Sequence, residues 1–215
     1  MRSRFTLTRS MALCLALIGP AMAAVIPPGT QLHATQTMVR SNGSEPESMD
    51  PAVAETVPAN QILRDLFEGL TATTAEGKVV PGVAESWKQT NPTTWVFKLR
   101  ANAKFSNGAP ITADDFVYSF RRFVDPKTAS PYAATFGVFL LNGLEVAQGK
   151  KPTSELGVKA LDKSTLEIKT QDPVAFMLEL MTNTQFAPVH KATVEKFGKD
   201  WVKPANMVGN GAYVF

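Results

Sequence analysis

The period of the apolar positions changes several times along the chain, and each change predicts an element. Ile62, Leu63, Leu66, Phe67 and Leu70 recur at helical spacing while Arg64, Asp65 and Glu68 face away, which predicts a helix stopped near Gly69. Trp95, Phe97 and Leu99 alternate with Val96, Lys98 and Arg100, the pattern of a strand with one buried face. After Thr112 the spacing is helical again, with Phe116, Phe120 and Phe123 on one face. Asp125-Pro126 ends that helix, because the proline ring disfavours helical geometry in the residue before it. "EGKVVPGVAESW" (76–87) predicts a turn, a short strand and a second turn, and "LNGLEVAQGK" (141–150) a short helix closed by Gly149. "GVKALDKSTLEIKT" (157–170) predicts a hairpin turning at Asp162-Lys163-Ser164, "PVAFMLELMTN" (173–183) an apolar helix, and "KATVEKFGKDW" (191–201) a short amphipathic one. Upstream, residues 37–40 suggest a short strand, followed by a long polar loop in which Asn42-Gly43-Ser44 is a turn. Helices and strands mix without regular βαβ alternation, so the expected fold is α/β with a mixed sheet.

The first residues follow a different logic. Arg2, Arg4 and Arg9 form a basic start, residues 11–18 an apolar run, Gly19-Pro20 a break, and Ala21-Met22-Ala23 the small residues a signal peptidase reads. The run is far short of the roughly 20 residues needed to span a bilayer, so residues 1–23 read as a secretory signal cleaved after Ala23. Removing it changes the charge balance. Of 22 basic residues the signal takes three, leaving 19 against 19 acidic ones. A nucleic-acid or anionic-membrane partner would need a clustered positive field, so neither is expected. The single cysteine, Cys14, lies inside the signal after Leu13, so no disulfide, thiol nucleophile or lipid anchor is expected beyond it. An exported chain without disulfides depends on its core, and the bacterial periplasm suits it.

Asp114 and Asp115 are the first candidates for chemistry, as an acid/base pair of an exported hydrolase. Thr112 stands three residues before Asp115, where the two can form a capping box, and both carboxylates sit in the first helical turn, favoured there by the helix dipole. Adjacent helical residues point about 100° apart, which does not converge two carboxylates on one substrate. Capping is therefore the expected role. His33 and His190 have no ligand partner at metal spacing, and no nucleophile elbow, phosphate loop or zinc motif occurs, so neither metal nor cofactor is expected. Gly209-Asn210-Gly211 reads as a turn, and Trp87, Trp95 and Trp201 as core aromatics.

"VVPGVAESWKQTNPTTWVFKLRANAKFSNGAPITADDFVYSF" (79–120) resembles the signature region of the family 5 solute-binding proteins of ABC importers. With residues 38–45, "RDLFEGL" (64–70), "VDPKTASPYA" (124–133) and "GKKP" (149–152), it is similar to the periplasmic oligopeptide-binding branch, near the murein-tripeptide and dipeptide binders. The resemblance implies a periplasmic-binding-protein type II-like α/β fold and a non-enzymatic, monomeric component that hands oligopeptides to an inner-membrane ABC permease. It implies that Glu55 and Val57 of "DPAVAETVP" (50–58) line the peptide cleft, with Tyr132 reaching in from the facing lobe. Residues 24–67 would begin the main ligand-binding lobe, 68–191 form the small lobe with the signature, and 192–215 return to the main lobe. Family members continue well beyond "NMVGNGAYVF" (206–215), so an incomplete N-terminal portion is expected, without the lobe that closes over the peptide. A fragment with no function of its own is the third reading.

Overall fold

The computed structural model of the protein describes residues 41–215 and, before them, Gly29, Gln31, Ala34, Thr35, Thr37 and Val39. The expected signal with Cys14, and His33, lie outside the described residues; of the strand expected at 37–40, Thr37 and Val39 are described and carry no regular structure. The order of elements is α1 (Val57–Leu66), β1 (Thr71–Thr73), β2 (Val79–Pro81), β3 (Ala84–Asn91), β4 (Thr94–Leu99), α2 (Ala113–Val124), α3 (Ala133–Gly137), α4 (Gly143–Ala147), β5 (Val158–Asp162), β6 (Thr165–Lys169), α5 (Met177–Leu180) and α6 (Lys191–Phe197). Short 3-10 turns stand at Thr153–Glu155, Thr184–Phe186 and Gly198–Val202. Residues 41–215 form one compact unit.

Two tight hairpins build the main sheet, in the order β3-β4-β6-β5. Both turn by the same device. The Asn91 side chain accepts from the Thr93 amide at 3.0 Å, and the Asp162 carboxylate accepts from the Ser164 amide at 2.7 Å and the Thr165 hydroxyl at 2.8 Å. These bonds hold the Asp162 carboxyl down at about 2. β1 and β2 form a separate two-stranded ladder. The α/β class is as expected, but strand directions do not mix: each of the four ladders is antiparallel, as hairpin connections dictate.

α2 packs on this sheet with Phe116, Phe120 and Phe123 fully buried, as their spacing predicts. Phe186 lies 5.0 Å from the Phe120 ring and 5.4 Å from that of Phe123, which joins the 3-10 turn at Thr184–Phe186 to the same core. A second, smaller core gathers Ala59, Leu63 and Leu66 of α1 with Phe67, Val189 and Trp201.

Asp50 is 8% exposed and pairs with Arg122 of α2. The pair is bidentate: Nη1 donates to Oδ1 at 2.9 Å and Nη2 to Oδ2. The indole N–H of buried Trp201 adds a bond to Oδ2 at 3.3 Å, and the guanidinium lies 5.8 Å from the indole ring. The Ala52 amide donates to Oδ1 at 3.0 Å, and the Val53 and Ala54 amides each donate to the Asp50 carbonyl at 2.9 Å. One carboxylate thereby joins the loop before α1, the last turn of α2 and the turn at Gly198–Val202.

Several elements differ from the sequence-based expectation. α1 begins at Val57-Pro58, with Thr56 as N-cap, and ends at Leu66, so Phe67 and Leu70 pack from an extended segment. Gly69 is not a helix stop; a Cβ there would lie 2.4 Å from the Met181 carbonyl oxygen. The second turn expected at the end of 76–87 is instead the start of the edge strand β3 (Ala84–Asn91), whose side chains are mostly exposed and therefore carry no alternation. The helix expected in 173–183 shrinks to α5, because the Thr182 hydroxyl and Asn183 amide bond the Glu179 and Leu180 carbonyls at 2.7 and 3.0 Å. Gly209-Asn210-Gly211 is a close-approach segment rather than a free turn. Asn210 and Gly211 donate backbone N–H bonds to the Leu66 carbonyl, and a Cβ on Gly211 would lie 2.4 Å from the Asp65 carbonyl oxygen.

Removing one member of a buried ion pair leaves the other charge uncompensated, so Asp50→Ala should cost about 3–5 kcal/mol of unfolding free energy. Urea denaturation of the variant checks this; a loss below about 1 kcal/mol, the range of an exposed pair, would contradict it.

Candidate functional site

The loop carrying Glu55 and Val57 is shaped by a carboxylate eight residues upstream of Glu55. Glu47 accepts from the Glu55 amide at 2.5 Å, the Thr56 amide at 2.9 Å and the Thr56 hydroxyl. Desolvation pushes the Glu47 carboxyl up, but the hydrogen bonds from Thr56 and Glu55 outweigh it and bring it to about 2. Asn42 donates to the Pro58 carbonyl at 3.0 Å, and Gly43 takes φ 80°, so the expected turn at Asn42-Gly43-Ser44 is present and docks on the start of α1.

From this start α1 presents Val57, Asn60, Gln61 and Arg64, spaced i, i+3, i+4 and i+7, along one side of an open concavity of about 370 Å³. Glu55 stands at one end of it and Tyr132 enters from the start of α3. The Tyr132 ring stacks on Phe136 at 5.4 Å, and Phe136 rests on buried Phe186, so the aromatic is held from below. Its hydroxyl donates to the Glu55 carbonyl at 3.5 Å. The three residues singled out from the sequence are thus brought together. Val57 is 69% exposed, an apolar side chain left in water at the mouth of the concavity. Thr184 donates to Asn60 Oδ1 at 2.9 Å and the Gln185 amide to the Ala54 carbonyl at 3.4 Å, tying the floor to the core.

A second concavity, of about 610 Å³, begins at Arg64 and runs past Thr71, Arg100 and Asn210. Within it Glu68 pairs with Arg100 at 2.6 Å; burial raises the Glu68 carboxyl, against the opposing effect of the guanidinium. The Asn210 side chain clasps Glu68, accepting from its amide at 3.1 Å and donating to its carbonyl at 2.8 Å.

Asp114 and Asp115 sit apart from both concavities, on the outer face of α2. The Asp115 carboxylate accepts from the Thr112 amide at 2.8 Å and hydroxyl at 2.7 Å, which makes Thr112 the cap, and Asp114 is exposed. His190 is held by Thr193 at 2.6 Å and packs edge-on to Phe105 at 5.0 Å. Among the described residues no three His, Cys, Asp or Glu gather as a metal site, and no helix is long and apolar enough to cross a membrane.

Glu47, Asn60 and Asn210 were not singled out from the sequence. Glu47 sits in "SNGSEPESMD" (41–50) among other acidic and small polar residues, with no local pattern to mark it. For Asn210 the flanking glycines were a signal, since paired glycines can mean close backbone approach as well as a turn.

The family model described as "Bacterial extracellular solute-binding proteins, family 5 Middle" matches residues 78–215. The chain belongs to that family. Among family 5 relatives, the periplasmic oligopeptide-binding protein OppA of Escherichia coli (strain K12) is 50% identical over 194 residues, covering 90% of this chain and 36% of the relative. The periplasmic murein peptide-binding protein MppA of the same organism is 46% identical over 204 residues, covering 94% of this chain and 38% of the relative. The crystal structure of Haemophilus influenzae OppA in complex with RPPGFSPFR matches with a TM-score of 0.81 at 45% identity, over 86% of this chain and 36% of that one. The chain thus spans little more than a third of the length of these relatives.

Because the Glu47 carboxyl lies lower in the folded protein than its ordinary 4.5, its contribution is complete above pH 4.5 and disappears as pH falls through about 2. The Glu55 and Thr56 amides should therefore stay protected from exchange at neutral pH and lose protection across that acid window. Glu47→Gln should expose them already at neutral pH. Equal amide exchange in the variant and the parent at pH 7 would contradict the assignment.

Proposed function

We propose that the chain is part of the periplasmic substrate-binding component of an ABC importer for oligopeptides, and that Glu55, Val57 and Tyr132 line its peptide cleft. The observation that carries this reading is their meeting in one open concavity, in a chain of the solute-binding family whose close relatives are oligopeptide and murein-peptide binders. An extended peptide offers backbone N–H and C=O groups at regular intervals, and a protein segment lying beside it can satisfy them as an added strand would. Side chains of the peptide would project into hydrated space, where bridging water accommodates many sequences. No bond is made or broken, so binding needs no nucleophile, metal or cofactor.

In this reading residues 1–23 direct export and are removed after Ala23, and the mature chain works in the periplasm as a monomer that delivers peptide to an inner-membrane permease. Residues 24–67 and 192–215 belong to the main lobe and 68–191 to the small lobe. Support for the first boundary comes from the bonds of residues 65, 66 and 68 to 210, 211 and 213, which lay two crossing segments side by side. Asp114 and Asp115 also line a concavity, with Arg121 and Lys191, but Asp115 is engaged by Thr112 and adjacent helical residues diverge, which disfavours an exported hydrolase built on the pair.

The cleft wall is open, so each peptide hydrogen bond replaces one to water with little net gain, and ordering the peptide still costs entropy. Binding by this chain should be weak, about 1 mM on that balance. An NMR titration with trialanine should shift the signals of Glu55, Val57 and Tyr132. Tyr132→Ala should weaken binding about fivefold, the loss of roughly one hydrogen bond and a ring contact. Shifts confined to Asp114, Asp115 and Arg121 would overturn the reading.

A further inference from the structure

We infer that Arg64 receives a carboxylate of the bound ligand, which makes it a specificity-determining residue of the concavity formed by Glu55, Val57 and Tyr132; the inference rests on the peptide-binding reading. Arg64 is the last residue of the stripe that α1 turns toward this concavity, and it also lines the start of the second one. A ligand lying along α1 and continuing past its end must cross the guanidinium. Val57 and Arg64 are seven residues apart, about 10 Å along a helix axis at 1.5 Å per residue. An extended peptide covers that span in about three residues at 3.3 Å each. A short peptide beside Tyr132 and Val57 therefore places its end, or a side chain near it, at Arg64.

The occupancy of the neighbouring groups points the same way. Asn60 is bonded to Thr184 and to the Thr56 carbonyl, Asn183 to the Leu180 carbonyl, and Gln185 to the Ala54 carbonyl. In the second concavity Arg100 is held by Glu68 at 2.6 Å. Arg64 is exposed, and among the described residues it has neither an ion pair nor a side-chain hydrogen bond. Its five N–H donors, in a fixed plane that matches a carboxylate in bidentate fashion, are free for a ligand. The favourable placement of a cation in the last turn of α1 explains a positive charge at this position. It does not explain why that charge lies where two concavities meet.

The test is an NMR titration of the protein, and of Arg64→Ala and Arg64→Lys, with three probes: trialanine, its C-terminal amide, and acetyl-Ala-Glu-Ala amide. Arg64 is exposed, so both variants should keep the parent's dispersed sheet signals, and Arg64→Lys retains the charge if Arg64→Ala does not fold. The expected result is that trialanine binds the parent about tenfold more tightly than its amide, the range of a charge-assisted pair. Arg64→Ala should abolish that preference and Arg64→Lys should reduce it. If acetyl-Ala-Glu-Ala amide also binds more tightly than trialanine amide in an Arg64-dependent way, a side-chain carboxylate fills the site as well. If the acid and the amide bind equally to the parent, or if Arg64→Ala keeps the full preference, the inference is overturned and peptide binding stands. If none of the three probes shifts any residue of the concavity, the peptide-binding reading falls, and the role of Arg64 with it.

Discussion

Asp50 is the point on which the described unit depends. A carboxylate and a guanidinium removed from water lose hydration worth several kcal/mol each, and such a pair persists only where bidentate geometry and further bonds compensate. Here Trp201 and the Ala52 amide supply those bonds. A well-packed apolar replacement could be as stable, so the contribution of the pair lies in where it holds the chain. Its Arg122 belongs to a helix locked to the sheet by three buried phenylalanines, and its Asp50 begins the loop that ends at the N-cap of α1. The salt bridge therefore ties the loop that leads into α1, at one end of the open concavity, to the rigid core.

The wall of the concavity shows the same division of labour. Several groups that line it are held from behind. Tyr132 rests on Phe136 and through it on Phe186, Asn60 is fixed by Thr184, and the turn at Glu55-Thr56 hangs on the Glu47 carboxylate. Such support fixes the wall from behind while leaving the space in front of it open. At the far end, Asn210 and the flanking glycines press the returning chain against residues 65–68, so the strip next to Arg64 is set by backbone contact.

Elements with a strong period were legible in the sequence. α2, with its phenylalanine stripe, its Thr112–Asp115 cap and its stop before Pro126, forms as its residues predict, and so does the hairpin turning after Asp162. The meeting of Glu55, Val57 and Tyr132 followed from a resemblance and not from any local pattern. Edge strand β3 was not legible because a strand exposed on most of its length has no alternation to show. The roles of Asp50 and Glu47 were hidden for another reason. Both lie in a polar loop where carboxylates are ordinary, and Arg122, Trp201 and Thr56 become their partners only after the chain has folded.

The central claim is that the Asp50–Arg122 pair positions the loop bearing the concavity and does not merely add stability. Hydrogen exchange at single amides of Asp50→Asn, a change that keeps the shape and removes the charge, tests it most directly. The account predicts faster exchange at Ala52, Val53, Ala54 and Thr56 under conditions where β4 and β6 exchange as slowly as in the parent. Exchange raised equally in the loop and in the sheet, or raised in neither, would contradict it.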